Sequence, residues 1–285
     1  MTVKLVYQPS VIPIARTMMD PDALYQWAED HGFLDIYNEE GTPLGILAED
    51  LSDGHDIEQN SLDALPEFAG RFCYRSFAKG RKRDAYIKNI IDMEHGSVLE
   101  HSVVSFAVSG ISRSLTHELI RHRAGASPSQ ESQRYVDAKD IRFVVPPLIA
   151  ALSDPELTAQ FEADCAYSLQ AYERTRDALN LALDAAQLKG HGIKFDTMKK
   201  KRALEAARSV LFNAAETRMV WTMNMRAARH VCALRGAEGA DLEIRRLAVE
   251  FTKHFKEMAP HIFADFEIGV GDDGFPLVKC DKPKV

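Results

Sequence analysis

The second half of this 285-residue chain constrains its fold most. Residues 154–189, 197–233 and 241–267 are rich in Ala, Leu, Glu, Lys and Arg, the residues that lose least on entering a helix. Each of the three is read as a long helix. Strand character comes earlier. "VKLVY" (3–7), "HSVVSFAVSG" (101–110) and "IRFVVPP" (141–147) carry β-branched and aromatic residues, the last stopped by two prolines. Helical spacing runs from Leu65 to about Met93, and again through "SRSLTHELIRHR", where Leu115, Leu119 and Ile120 share a face. Residues 35–60 are polar and carry turn chemistry, so they read as a hairpin or loop excursion. Strands early and long helices late predict an α+β fold, a mixed α/β chain with a central, largely antiparallel sheet flanked by long helices. A doubly wound sheet would alternate the two.

A net charge of −7 and a pI near 5.8 argue against a nucleic-acid partner, which needs a net basic face. They leave room for a local basic pocket. Cys73, Cys165, Cys232 and Cys280 are far apart and form no CxxC pair, so neither zinc nor a disulfide framework is expected. Reduced thiols in a cytoplasmic protein are the simplest reading. "MTVKLVYQPS" lacks the basic-then-apolar form of a signal peptide, and no apolar run reaches membrane-spanning length.

"HELIRH" (117–122) looks like a zinc motif but has the wrong spacing. His117 and His122 are five apart, about 140° around a helix, whereas metal-binding histidines on one face are four apart. "EHGSVLEH" (94–101) reads as a capped helix start, or as a turn where the backbone beside His95 approaches a ligand closely. "RHRAGASPSQESQRY" (121–135) is either a basic surface turn or an anion site. Its small residues leave backbone N–H groups open, and its arginines and hydroxyls can make charge-assisted bonds to phosphate. It matches neither a Walker loop nor a dinucleotide fingerprint. Arg208, Arg218, Arg226, Arg229 and Arg235 form a second basic series, in which Arg226 and His230 share a helical face. Apolar Phe212, Met219, Trp221 and Met223 among them imply burial. Buried guanidinium groups need anions, which a ligand could supply.

Together, and in this order, these segments resemble the flavin-dependent thymidylate synthases. Arg121-His122-Arg123 is followed by eight residues and Ser132, then Gln133, Arg134 and Tyr135. His95, Ser97, Glu100 and His101 form the upstream element. Asn224, Met225 and Arg226, with His230 and Arg235 beyond, form the downstream one. The likeness runs from about Leu65 to the C-terminus, and "VKLV" fits the family's first strand. The departure is a stretch of about 13–64, read as an insertion within a single catalytic domain spanning 1–285.

The resemblance implies reductive methylation of dUMP to dTMP, with methylenetetrahydrofolate as carbon donor, FAD as hydride carrier and NADPH as its reductant. It also implies a homotetramer whose sites are shared between subunits. By the same resemblance His95, Ser97, Arg121, His122, Arg123, Gln130, Asn224, Met225, Arg226 and His230 hold FAD. Glu118, Arg121, Gln130, Glu131, Ser132, Gln133, Arg134 and Arg208 line the nucleotide, Arg134 and Arg208 at its phosphate. Arg235 sits at the uracil edge as the catalytic residue, where it stabilises developing negative charge. A different nucleotide-acting flavoenzyme and a non-catalytic nucleotide-binding protein are the alternatives. No cysteine is expected to be a nucleophile. Cys73 is read in a packed segment, Cys165 in mid-helix and Cys280 in a polar tail, while Cys232 is about 200° around the helix from His230.

Overall fold

The computed structural model describes residues 2–31, 61–76, 81–188, 196–283 and 285. In chain order its elements are β1 (Lys4–Val6), β2 (Ser10–Arg16), α1 (Pro21–Asp30), α2 (Ser61–Tyr74) and α3 (Arg83–Asp92). After a 3-10 turn at Gly96–His101 come β3 (Val103–Ser112), α4 (Arg113–Leu119), β4 (Ala126–Gln130) and β5 (Arg142–Val144). Then follow α5 (Pro147–Leu152), α6 (Pro155–Leu188), α7 (Asp196–Ala207), a 3-10 turn at Arg208–Val210 and β6 (Glu216–Asn224). The chain ends with α8 (Met225–Gly236), α9 (Leu242–Met258), β7 (Phe266–Val270) and β8 (Pro276–Cys280). A four-stranded sheet has the order β2-β3-β6-β4, and β1-β5 and β7-β8 form separate pairs. The mixed α/β class and the antiparallel sheet agree with the sequence reading, while β1 and β5 pair in parallel.

The chain forms two compact units. The first comprises Met1–Ser10, Val108–Arg121 and Ser129–Val220. In it β1 runs beside β5 with Leu5 opposite Phe143. Its core gathers Phe143, Cys165, Leu169, Tyr172, Leu204 and Ala215. Tyr172 joins this core by its ring and keeps its hydroxyl bonded to Asp137 at 3.0 Å, as a buried phenol requires.

The second unit comprises Val11–Ala107, His122–Pro128 and Trp221–Val285. Along β3, buried Val104 and Phe106 alternate with half-buried Val103, Ser105 and Ala107, the period of a strand with one face inward. Phe106 meets Phe251 at 5.0 Å and Phe255 at 5.3 Å between ring centroids. Phe255 stacks on Phe263, and Phe263 packs on Phe266. Each such ring contributes roughly 1.5–3 kcal/mol by leaving water. α9 presents Ile244, Leu247, Ala248, Phe251 and Phe255 on one buried face. Asp241 caps it by accepting the Glu243 N–H at 2.9 Å.

Residues 197–233 are not one helix. α7 stops at Ala207, β6 intervenes, and a new helix starts at Met225. "ETRMVWTMN" buries Met219, Trp221 and Met223 and exposes Arg218 and Val220, a period of two. Its β-branched Thr217, Val220 and Thr222 suit a pleated strand, and pairing with β3 overrides the helix-forming neighbours. Residues 241–267 are helical only to Met258, since Pro260 cannot continue the ladder and Phe266 opens β7. The 65–93 segment is two helices, with Arg75 in a left-handed conformation (φ 47°) after the first. Within 121–135 lies the strand β4, and Cys280 closes β8 rather than lying in a polar tail. The 35–60 excursion lies outside the described residues.

Candidate active site

In the second unit, α2 and α3 form a wall. Glu67 and Arg71 are both buried, with the Arg71 Nε donating to Glu67 Oε1 at 2.8 Å, and the Arg83 Nε donates to Glu67 Oε2 at 2.9 Å. Beside this wall opens a cavity of about 500 Å³, lined among others by Tyr74, His95, Gly96, Ser97 and Arg226. Tyr74 and His95 stack, with centroids 6.3 Å apart and planes 25° apart. Arg226 donates to Glu100 at 2.7 Å. A Cβ on Gly96 would come within 3.0 Å of the Arg226 Nε and 3.1 Å of the Val285 backbone, so a side chain here would crowd this edge of the cavity.

The β6–α8 junction brings further expected residues together. Asn224 caps α8 by accepting the Ala227 N–H at 2.8 Å, and its own N–H donates to the Gly125 carbonyl at 2.9 Å. Gly125 has φ +67°, and a Cβ there would lie 2.6 Å from the Asn224 amide. Position 125 thus requires glycine on both counts. Met225 is fully buried and its N–H donates to the Ser102 carbonyl. Arg226 and His230 are both exposed on α8, as their spacing requires, and Arg123 is exposed. The His230 ring lies 5.5 Å from that of His122, edge on. Arg235, half-buried, donates from Nε to the His122 Nε2 at 2.9 Å.

Arg229 finds its anion inside the protein. It is fully buried and donates to both oxygens of Asp265, at 2.6 and 2.9 Å. Despite the penalty of burial, the guanidinium holds the Asp265 carboxyl below its usual range.

In the first unit, Glu118 is half-buried on α4 and Arg121 is exposed just beyond it. The 131–136 turn follows β4, with the Tyr135 and Val136 N–H groups both donating to the Ser132 carbonyl. The Ser132 hydroxyl accepts the Arg134 N–H at 3.3 Å. The Arg134 Nε donates to Glu205 at 2.5 Å, and the Glu205 second oxygen takes Arg202 at 2.9 Å. Exposed Glu131 faces Arg218 at 3.5 Å. The Gln133 Nε2 is buried and has no partner among the described residues.

Arg208, on its 3-10 turn, has a neighbour that the sequence did not single out. Burial, and after it the charge of Arg208, holds the Arg113 guanidinium below its usual range. Neither arginine has a carboxylate partner among the described residues. Two half-buried like charges without a protein counter-ion make a receptor for an anion. Nothing in the spacing of Arg113 marked it, because the pairing is made by the fold. Tyr74, Thr116, Glu205 and Thr217 were missed for the same reason.

Three of the four cysteines are poor nucleophiles by environment. Burial pushes the Cys232 thiol up to about 12, Cys280 to about 12 and Cys165 to about 11. Cys73 is exposed, contrary to the packed position expected. It lies near the end of α2, where the buried face is carried by Glu67, Gly70 and Arg71. No cluster of metal ligands occurs among the described residues, and His122 lies beyond the end of α4, apart from any helical zinc pattern. Among them, too, no helix is long and apolar enough to cross a membrane.

Comparison with known proteins gives the family. The family described as "Thymidylate synthase complementing protein" matches residues 57–261. The chain is 49% identical over 215 residues to a flavin-dependent thymidylate synthase of Mycolicibacterium gilvum, a match covering 74% of this chain and 82% of that protein. It is equally similar, with the same coverage, to one of Mycobacterium leprae. To one of Mycobacterium sp. (strain KMS) it is 50% identical over 217 residues, again covering 74% and 82%. With the family pattern spanning well over half its length, this chain belongs to the flavin-dependent thymidylate synthases, flavoprotein methyltransferases of dTMP biosynthesis.

Proposed function

We propose that the chain, acting as one catalytic domain, converts dUMP to dTMP. Methylenetetrahydrofolate is the carbon donor, FAD the flavin and NADPH its reductant. The observation that carries this reading is the Arg235–His122 hydrogen bond, which joins the last residue of the downstream motif to the centre of the Arg-His-Arg motif. The second unit's cavity fits part of a flavin. Its volume of about 500 Å³ is in the range of small-molecule sites, roughly 300–1,000 Å³. It offers two stacked rings, a hydroxyl, a guanidinium and a glycine edge.

In this reading His95, Ser97, Arg121, His122, Arg123, Gln130, Asn224, Arg226 and His230 hold FAD, with the backbone of Met225 beside them. When bound, the reduced flavin supplies a hydride. Arg134, Arg208 and Arg113 hold the dUMP phosphate, with Glu131, Ser132 and Gln133 around the nucleotide and Glu118, Arg121 and Gln130 next to it. Arg235 lies at the pyrimidine edge. Its guanidinium is always charged and needs no proton transfer to stabilise an anionic ring. Activation by polarisation needs no thiolate, in keeping with the raised thiols.

The test is direct. Purified protein should be yellow and release FAD in proportion to chains. It should form dTMP only when dUMP, methylenetetrahydrofolate and NADPH are all present. Colourless protein that takes up no added FAD overturns the reading. The proposed homotetramer with shared sites is tested by mixing Arg134→Ala and Arg226→Ala chains. Activity should return on reassembly, and full activity at monomer mass contradicts sharing.

A further inference from the structure

We propose that Gln130 is an amide locked with its carbonyl oxygen outward, as an acceptor for the imide N–H of a bound ring. This rests on the function proposed above and adds a polarity that the function does not specify.

The inference follows from which hydrogens are already committed. The Thr116 hydroxyl bonds the Arg113 carbonyl at 3.0 Å. A carbonyl can only accept, so the hydroxyl donates, and a threonine has one proton to give. Towards Gln130, 3.3 Å away, the Thr116 oxygen is therefore an acceptor. The amide end facing it must be the nitrogen. The two ends of a side-chain amide are usually hard to tell apart; here the Thr116 proton decides between them. The same nitrogen reaches Thr217 Oγ1 at 3.0 Å, which uses its second hydrogen. Thr116 and Thr217 are 2% and 3% exposed, so water does not compete for these bonds.

With both amide hydrogens spent inside the protein, the Gln130 oxygen has no partner among the described residues and is not sealed from solvent. An outward carbonyl recognises a donor. It repels a phosphate or a ring carbonyl. Uracil and the flavin ring both carry an imide N–H flanked by two carbonyls, and either satisfies this oxygen. Thr116 and Thr217 are then positioning residues, since they aim Gln130 without touching the ring.

The experiment titrates FAD and dUMP separately into flavin-free protein carrying Gln130→Glu, Gln130→Met or Thr116→Val. It also titrates N3-methylated FAD and N3-methylated dUMP into the parent. Gln130→Met should weaken one ligand about tenfold, whereas Gln130→Glu keeps an acceptor but gives up both hydrogens that hold it, so its loss should be smaller than that of Gln130→Met. The methylated form of that same ligand should bind the parent about tenfold more weakly, which identifies the ring being read. Thr116→Val frees the amide to turn and should weaken the same ligand about threefold. A loss in Gln130→Glu equal to or greater than that in Gln130→Met would mean that an acceptor at this position gains the ligand nothing, and the polarity would be wrong. Full affinity in Thr116→Val would remove the lock. Should Gln130→Met not fold, the methylated ligands decide: undiminished binding of both overturns the inference. If the parent binds neither FAD nor dUMP, the function proposed above falls first.

Discussion

Arg235 and His122 share one hydrogen bond of 2.9 Å, from the guanidinium Nε to the imidazole Nε2. Nε2 must be unprotonated to accept it, so the neutral ring carries its proton on Nδ1. The bond uses the side edge of the Arg235 fork and fixes its plane. Arg235→Lys keeps the charge and loses that plane. We expect kcat to fall about a hundredfold, the scale of losing one oriented donor at a developing anion. FAD and dUMP affinities should stay nearly unchanged. Initial rates of dTMP formation set beside ligand titrations check this, and equal loss of binding and rate would make Arg235 a binding residue only.

The phosphate arginines should show the opposite signature. Arg134→Ala and Arg208→Ala are expected to cost about 1.5–3 kcal/mol of dUMP affinity, roughly tenfold to a hundredfold, with little effect on FAD. Arg113→Ala should act in the same direction, because it removes one of two charges that lack a counter-ion among the described residues. Isothermal titration with dUMP at fixed salt checks all three. Unchanged values would put the nucleotide elsewhere.

Replacing all four cysteines by Ala or Ser should leave dTMP formation within about tenfold, near 1.4 kcal/mol in the barrier. Loss of turnover in Cys232→Ser alone, with both ligands still bound, would demand a thiolate mechanism. Buried thiols also predict an alkaline limit. Their pKa values are raised in the fold, so the stability they contribute is complete below the ordinary value of 9.0. It declines as the pH rises towards about 12 for Cys232 and Cys280. Urea midpoints between pH 8 and pH 11 should fall less steeply in the cysteine-free variant.

Arg229 and Asp265 set the acid side. Asp265 is held below the usual carboxylate range, so its contribution is present above 3.8 and is lost as the pH falls through the lowered value. Arg229→Met leaves Asp265 without its main partner and should cost about 3–5 kcal/mol at neutral pH. It should also flatten the dependence of stability on acid. Denaturant unfolding at pH 3, 4 and 7 reads both effects, and an unchanged acid slope would assign that slope to other carboxylates.

The downstream motif was legible as residues and misread as structure. Asn224, Arg226 and His230 were expected on the flank of one long helix. Asn224 instead ends a strand and caps the next helix. The alternation of Met219, Val220, Trp221, Thr222 and Met223 was present to be read, but helix formers on both sides hid its period. The spacing of α8 itself was sound: Arg226 and His230 share an exposed face while Cys232 is buried away from it. Partners from distant segments were not legible. The Asp265 that neutralises Arg229 and the Glu205 that holds Arg134 lie 36 and 71 residues from them. Only the folded chain brings such pairs together.

The wiring of the sheet has a consequence for how the protein is made. β3 exchanges side-chain and backbone bonds with β6 across 106 residues at Gly110–Glu216 and 117 residues at Ser105–Thr222. A nascent chain that has just produced β3 can pair it with β2, but its other edge waits for β6 until most of the polypeptide has left the ribosome. At about 5–20 residues per second, that leaves this edge unpaired for several seconds or more, and Phe106 waits longer still for Phe251 and Phe255. Sequence-distant pairing also slows the search itself. Yield in cells should therefore respond to temperature and chaperone supply more than the finished protein's stability does.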